Sequence, residues 1–177
     1  MYCIVDITAN IADLYEEILK VRIDAWSDFQ TGADAYARMA DDLGVNTRHL
    51  AAYCGDQIVG AARLSIHRSV SDLPDPLVYE PFVSLIVSQP LASFNRLVLL
   101  RDHRKKGLAR RLDIGRLEAA RRLGCQTGVC YTSVTDRIER LRDLGWQEIG
   151  VGNKSAVFAE RPKQTVMLHD LCSFPDK

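Results

Sequence analysis

An arginine, a glycine and an alanine spaced as RxxGxA at 104–109 lie within a basic stretch and have the chemistry of an anion site. Glycine at 107 lets main chain approach a ligand with no side chain in the way. The first amides of a helix that follows such a turn have no intrahelical acceptor, so they point outward and suit a phosphate. The flanking residues must supply the strand and the helix that hold this turn. Residues 97–100, LVLL, read as a buried strand. Leu108, Leu112, Ala119 and Leu123 recur at helical spacing on one face.

Charge is concentrated in the same place. From Arg104 to Arg122 eight basic residues stand against only Asp113 and Glu118, in a chain of formal net charge zero. The rest of the chain therefore carries the compensating acidic excess. A local positive field in a neutral chain favours a compact polyanion over a long nucleic acid or an anionic membrane. Arg116, Arg121 and Arg122 read as a solvated helix face. With 177 residues, 47% of them hydrophobic, the chain is sized for one globular domain spanning 1–177. No apolar run approaches the roughly 18 residues of a membrane helix, and no secretion-signal pattern opens the sequence. A soluble, cytoplasmic protein is the expectation. Five scattered cysteines without a CxxC pair encode neither a disulfide framework nor a metal site, so free thiols and no metal are expected.

The pattern along the chain alternates strands and helices. Residues 2–7 read as a strand. Asn10 is placed to cap a helix whose stripe is Ile11, Leu14, Ile18 and Ala25. A short helix is expected at 33–43, then strands at 48–54 and 57–67 joined by the tight turn Gly55-Asp56. Four prolines punctuate 74–90, with one short helix expected at 82–87. Strands at 126–133, 146–151, 155–160 and 165–171 follow, with a helix at 136–144 closed by Gly145 and a turn at Arg161-Pro162. The expected fold is α/β: one mixed, mainly antiparallel sheet of about seven strands, flanked by four or five helices.

The order of these elements, with VGAARL at 59–64, LVL at 97–99, RKKGLA at 104–109 and RDLGW at 142–146, resembles the GNAT superfamily of N-acetyltransferases across nearly the whole chain. That resemblance implies acetyl-CoA or another acyl-CoA as co-substrate and a small-molecule amine as acceptor. It implies donor contacts from the main chain of Leu97, Val98 and Leu99, with the Leu99 amide near the thioester oxygen. It also implies a pyrophosphate cradle made by Arg104, Lys105, Lys106, Gly107, Leu108, Ala109 and Arg110, with Arg104 alternatively bonded within the turn. Family members often carry a tyrosine acid three residues before the LGF-like motif, where this chain has Leu141. Tyr131 is the substitute acid and Glu80 the candidate base, with Asp136 and His67 also weighed; each has a structural reading beside it. Cys130 and His169 read as packed core residues.

A second resemblance runs through VRIDAW at 21–26, DD at 41–42, RHLAA at 48–52, ARL at 62–64 and NRL at 95–97. It is to the branch holding acyl-homoserine-lactone and N-acyl amino acid synthases. Arg22, Trp26, Asp42, Arg63 and Arg96 match, whereas Ser93 stands where that branch usually has a glutamate. On this likeness Trp26, Arg63 and Arg96 are acceptor-binding candidates. Arg63 and Arg96 either hold a carboxylate or pair with Asp41 and Asp42. Three functions follow: acetyl transfer from acetyl-CoA to a primary amine, long-chain acyl transfer from acyl-CoA or an acyl carrier protein to an amino acid, and acyl-CoA binding without catalysis. In the second, Arg110, Arg111 and Arg116 would meet the carrier and Phe82, Leu85 and Ile86 would line an acyl tunnel. A homodimer is compatible with any of them.

Overall fold

The computed structural model describes residues 1–27, 43–155 and 164–172. Seven strands occupy them: β1 (Tyr2–Asp6), β2 (Thr47–Cys54), β3 (Gln57–His67), β4 (Leu91–Leu99), β5 (Thr127–Thr132), β6 (Gln147–Val151) and β7 (Thr165–Asp170). Four α-helices join them: α1 (Ile11–Ser27), α2 (Pro76–Tyr79), α3 (Leu108–Arg122) and α4 (Thr135–Arg142). The strands form one sheet in the order β1-β2-β3-β4-β5-β7-β6. Antiparallel pairing joins β1 to β2, β2 to β3, β5 to β7 and β6 to β7, while β4 and β5 run parallel. The expected mixed, mainly antiparallel sheet is the one observed. The expected helix at 33–43 and strand at 155–160, the turn at Arg161-Pro162, and Asp41 and Asp42 lie wholly or largely outside the described residues.

The chain divides into two compact units. The first comprises Met1–Ser65 and Phe94–Arg116. Strand alternation explains its core, because neighbouring residues face opposite sides of the sheet. Ala51, Ala61 and Val98 turn to one side and pack with Ile18, Val21 and Ala25 of α1. Ala52, Ala62 and Leu99 turn to the other and pack with Leu108 and Leu112 of α3. Gly60 is required by the approach of β3 to β4: a Cβ there would run into the Leu99 side chain and meet the Val98 carbonyl oxygen at 2.9 Å. At the entry to α1, Asn10 lies in a 3-10 turn, Thr8–Asn10. There Asp6, not Asn10, receives the main-chain N–H, from Thr8 at 2.9 Å. An aspartate two residues ahead of that amide forms the local turn first.

The second unit comprises Ile66–Ser93 and Leu117–Lys177. Leu91, Val129 and Val166 from three strands pack with Val78, Tyr79, Phe82 and Ile86. The short helix expected at 82–87 is instead α2, followed by a 3-10 turn at Glu80–Phe82. Pro76 explains the shift, since a proline at the first helical position is already set to the helical φ and has no N–H to leave unpaired. Phe82 and Ile86 belong to this core while Leu85 is exposed, so the expected acyl tunnel of these three is not formed. α3 ends at Arg122, and Leu123 is exposed rather than part of the apolar stripe. Gly124 adopts φ of +73° beyond it. Leu141 of α4 is fully buried.

Candidate functional site

In the first unit, the end of β4 and the turn before α3 present main chain. The Leu100 amide donates to the Val59 carbonyl of β3 at 2.9 Å. Successive strand residues direct their N–H groups to opposite edges, so those of Leu99 and Leu97 point away from β3. The parallel register of β4 with β5 covers Leu91, Ala92 and Ser93 alone. Arg96 interrupts the strand with φ of +54°, a left-handed conformation that is strained for arginine. Beyond the strand Lys105 has φ of +60° and Gly107 φ of +76°. A Cβ at Gly107 would meet nothing within 4 Å, so the glycine serves conformation and leaves open space above the turn. Among the described residues, the Arg104 amide bonds to Arg101 and the Arg111 amide to Gly107, and no protein acceptor is found for the six amides between them. A run of free amides of this kind has the donors that suit an anion.

The basic side chains around this turn divide by task. Arg104 donates from Nε to the Leu99 carbonyl at 3.0 Å and from a terminal nitrogen to the Ala25 carbonyl at 3.1 Å. It therefore builds the site, tying the end of α1 to the end of β4, as the within-turn alternative expected. Lys106 Nζ donates to the Tyr2 hydroxyl at 3.0 Å, and this bond holds its ammonium above the usual lysine range. The same hydroxyl is 3.0 Å from His103 Nδ1, and both terminal nitrogens of Arg111 reach the Tyr2 carbonyl. Lys105 and Arg110 are exposed and make no side-chain hydrogen bond among the described residues. Leu108 is buried at the start of α3, with Ala109 half-buried against the same core.

Arg116 departs from expectation. It is fully buried and paired with buried Asp113. It donates to the carbonyls of Arg63 at 2.9 Å and Asn95 at 3.1 Å, and its guanidinium stacks 5.1 Å from the Phe94 ring. The reason is helical geometry: Arg116 follows Leu108 and Leu112 at steps of four, on the stripe that faces the sheet. It is neither a solvated residue nor a surface for a carrier protein. On the side facing α1, Arg63 is also fully buried and donates to Asn95 Oδ1 at 2.7 Å, and Arg96 lies 5.3 Å over the Trp26 ring. Trp26 and Arg96, both acceptor-binding candidates, thus touch, and Arg63 contacts the residue next to Arg96.

The second unit holds the acid and base candidates. The Tyr131 hydroxyl donates to Asp75 Oδ2 at 3.2 Å, and the Ser155 hydroxyl bonds to the same oxygen. Asp75 is itself left-handed, with φ of +60°. The Tyr131 ring meets Tyr79 edge-on at 5.8 Å. Burial, with Cys130, Tyr131 and Asp75 adding to it, pushes the Tyr79 phenol well above its ordinary range. Glu80 is exposed and accepts from Asn153 at 3.0 Å. His67 Nε2 is 2.8 Å from Ser93 Oγ. His169 sits between the carbonyls of Asp170 at 2.8 Å and Leu144 at 3.0 Å. Burial chiefly, with Arg121 adding, lowers its pKa. Asp136 is exposed on α4, and Cys130 is buried and in no disulfide.

A sequence model of the Acetyltransferase (GNAT) family matches residues 11–144, about three quarters of the chain. The chain belongs to the GNAT family. Solved structures share its fold at low identity. The ribosomal-protein-S18-alanine N-acetyltransferase from Escherichia coli superposes with a TM-score of 0.68 at 13% identity, covering 99% of this chain and 97% of that one. FeeM, an N-acyl amino acid synthase from uncultured soil microbes, gives 0.71 at 13% identity, with 98% and 94% covered. An aminoglycoside 6'-N-acetyltransferase complexed with coenzyme A gives 0.67 at 13% identity, with 98% and 99% covered. No curated protein sequence matches the chain.

Within this GNAT chain the sequence located the turn and its glycine but not the contacts of its basic side chains. Tyr2 lies about a hundred residues from Lys106 and Arg111, and nothing local announces that pairing. Asp75 and Ser155 were likewise not singled out as partners of Tyr131. Arg116 was findable, because its spacing from Leu112 already placed it on the buried stripe. No helix of the described residues is long and apolar enough to cross a membrane.

Proposed function

We propose that the chain transfers an acyl group, acetyl first among candidates, from coenzyme A to the nitrogen of a primary amine. The observation that supports this most is the run of amides at residues 105–110 that have no protein acceptor, framed by positive φ at Lys105 and Gly107. A pyrophosphate matches that run in charge and in its demand for donors. Lys105 and Arg110 add flexible charge at the rim. The outward edge of β4 at Leu97 and Leu99 suits an extended amide-bearing arm, which pairs with main chain as an added strand does. The Leu99 N–H then serves the thioester oxygen, where a fixed donor stabilises the charge that develops as nitrogen adds.

Acyl-coenzyme A, when bound, supplies a thioester whose thiolate leaves readily, so holding the reactants in line carries much of the rate. Tyr131 is the acid candidate of this reading. Its bond to Asp75 orients the phenol. The reading is tested by incubating the protein with acetyl-CoA and a panel of amino acids, polyamines, aminoglycosides and peptides. Thiol release and a mass increase of one acetyl group support it. Binding of acetyl-CoA without transfer to any amine would instead favour a non-catalytic acyl-CoA-binding module.

A second reading, acylation of an amino acid by a long-chain donor, draws on the contact of Arg96 with Trp26 and the burial of Arg63 beside Asn95. Guanidinium groups gathered in this way suit a carboxylate-bearing acceptor. Turnover with octanoyl-CoA or longer donors, and none with acetyl-CoA, would select it.

A further inference from the structure

We infer that Tyr2, His103, Lys106 and Arg111 form a second anion subsite beside the turn at 105–110, for a phosphate monoester carried by the donor; this rests on the acyl-coenzyme A reading proposed above. Coenzyme A has such a group at its ribose 3′ position, in addition to the pyrophosphate. A pantetheine arm borne on a carrier protein has neither. The subsite therefore selects coenzyme A as the donor.

All four residues belong to the first unit. Strand parity explains why Tyr2 gathers the others. The Gly55 amide donates to the Met1 carbonyl at 3.5 Å and the Ile7 amide to the His49 carbonyl at 2.9 Å, so odd-numbered residues here turn their main chain toward β2. The Tyr2 carbonyl then faces the outer edge of the sheet, where both terminal nitrogens of Arg111 reach it at 3.3 Å. The Tyr2 ring packs on the α3 side of the sheet. There its hydroxyl meets Lys106 Nζ at 3.0 Å and His103 Nδ1 at 3.0 Å.

Chemistry assigns the donors in this network. An ammonium only donates, so the Tyr2 oxygen accepts from Lys106, and the phenolic hydrogen is left for His103 Nδ1. A neutral His103 then carries its proton on Nε2. Among the described residues, the side chains of His103, Lys106 and Arg111 make no hydrogen bond other than those to Tyr2. Each therefore keeps an N–H for a further acceptor.

Charge and backbone ask for the same acceptor. Lys106 and Arg111 are exposed and His103 is half-buried. Asp102, also exposed, is the one carboxylate between Arg101 and Arg111. α3 has no acidic residue in its first turn, so cations stand at the positive end of the helix dipole, an arrangement that an anion relieves. The amides of 105–110 match the pyrophosphate. Beyond it a monoester offers a second charge and three oxygens, which suit charge-assisted bonds from Lys106 and Arg111. Because Tyr2 already holds these cations, less freedom is lost on binding than at Lys105 or Arg110.

The test is calorimetry of the full chain with coenzyme A and with 3′-dephospho-coenzyme A, which share the pyrophosphate and the pantetheine arm and differ in the monoester alone. The wild type should bind coenzyme A about 20-fold more tightly than the dephospho ligand. Lys106→Ala and Arg111→Ala should each cut that ratio by about fourfold, and the double replacement should abolish it. Tyr2→Phe keeps the ring and the carbonyl but releases Lys106 and His103, and should cut the ratio by about threefold. A diffuse loss of positive charge would weaken both ligands alike and leave the ratio standing. Equal wild-type affinity for the two ligands overturns the subsite, as does a ratio that survives the double replacement. Binding of neither ligand sinks the acyl-coenzyme A reading itself, and the subsite with it.

Discussion

The glycine turn before α3 and the polar face around Tyr131 solve different problems with different parts of the chain. At the turn the groups left open by the protein are main-chain amides, and the side chains mostly hold the scaffold. Arg104 binds two carbonyls, and Lys106 and Arg111 are drawn to Tyr2. Around Tyr131 the reverse holds: the polar groups gathered there are side chains, those of Asp75, Tyr131 and Ser155. A main-chain site depends on conformation, so it tolerates side-chain change except where a residue sets φ. A side-chain site fails atom by atom.

The largest expected effect tests that distinction at Gly107. Replacing it with valine puts a β-branched residue at φ of +76°, and its side chain enters the space above the amides. Acetyl-CoA affinity should fall by about 100-fold or more, read by calorimetry. Arg110→Ala, at an exposed rim charge, should cost about threefold and Arg121→Ala nothing measurable. Comparable losses at Gly107 and Arg110 would mean that side-chain charge, not main chain, holds the donor.

The next effects concern what holds the turn's unit together. Arg116→Ala leaves Asp113 buried without its partner, and thermal or denaturant unfolding should show a loss of about 3–5 kcal/mol. A solvated Arg116 would give almost none. Gly60→Ala forces a Cβ against the Val98 carbonyl, which cannot rotate away as the Leu99 side chain can. A loss of about 1–3 kcal/mol is expected. Donor affinity should weaken with it, since β4 moves.

The smallest effect lies in the second unit. His169 has a lowered pKa in the fold, so the unfolded chain binds its proton more readily. Its contribution to stability is present above the unfolded value of about 6.5 and is lost as the pH falls below it. Unfolding at pH 7.5 and 5.5 should show this slope in the wild type and less of it in His169→Gln. An equal slope in both would place the titration elsewhere.

What could be read from the chain follows the same division. Turn, strand and helix at 97–122 were legible because periodicity and one glycine specify them locally, and the hairpin at Gly55 for the same reason. The four prolines of 74–90 read as breaks, whereas Pro76 starts α2. Arg116 was read by its charge when its spacing decided its fate. The partners of Lys106, Arg111 and Tyr131 come from distant segments, and only the folded sheet brings them within reach. Leu141 was legible as an apolar residue of α4, and it is fully buried.

The central claim, that the main chain at 97–99 and 105–110 holds an acyl-coenzyme A, is tested most directly by thermal unfolding with acetyl-CoA. At about a hundred times its dissociation constant the ligand adds about 2.7 kcal/mol, which for this size of chain raises the midpoint by roughly 5–10 °C. That rise is the predicted result, and an unchanged midpoint at millimolar acetyl-CoA would contradict it.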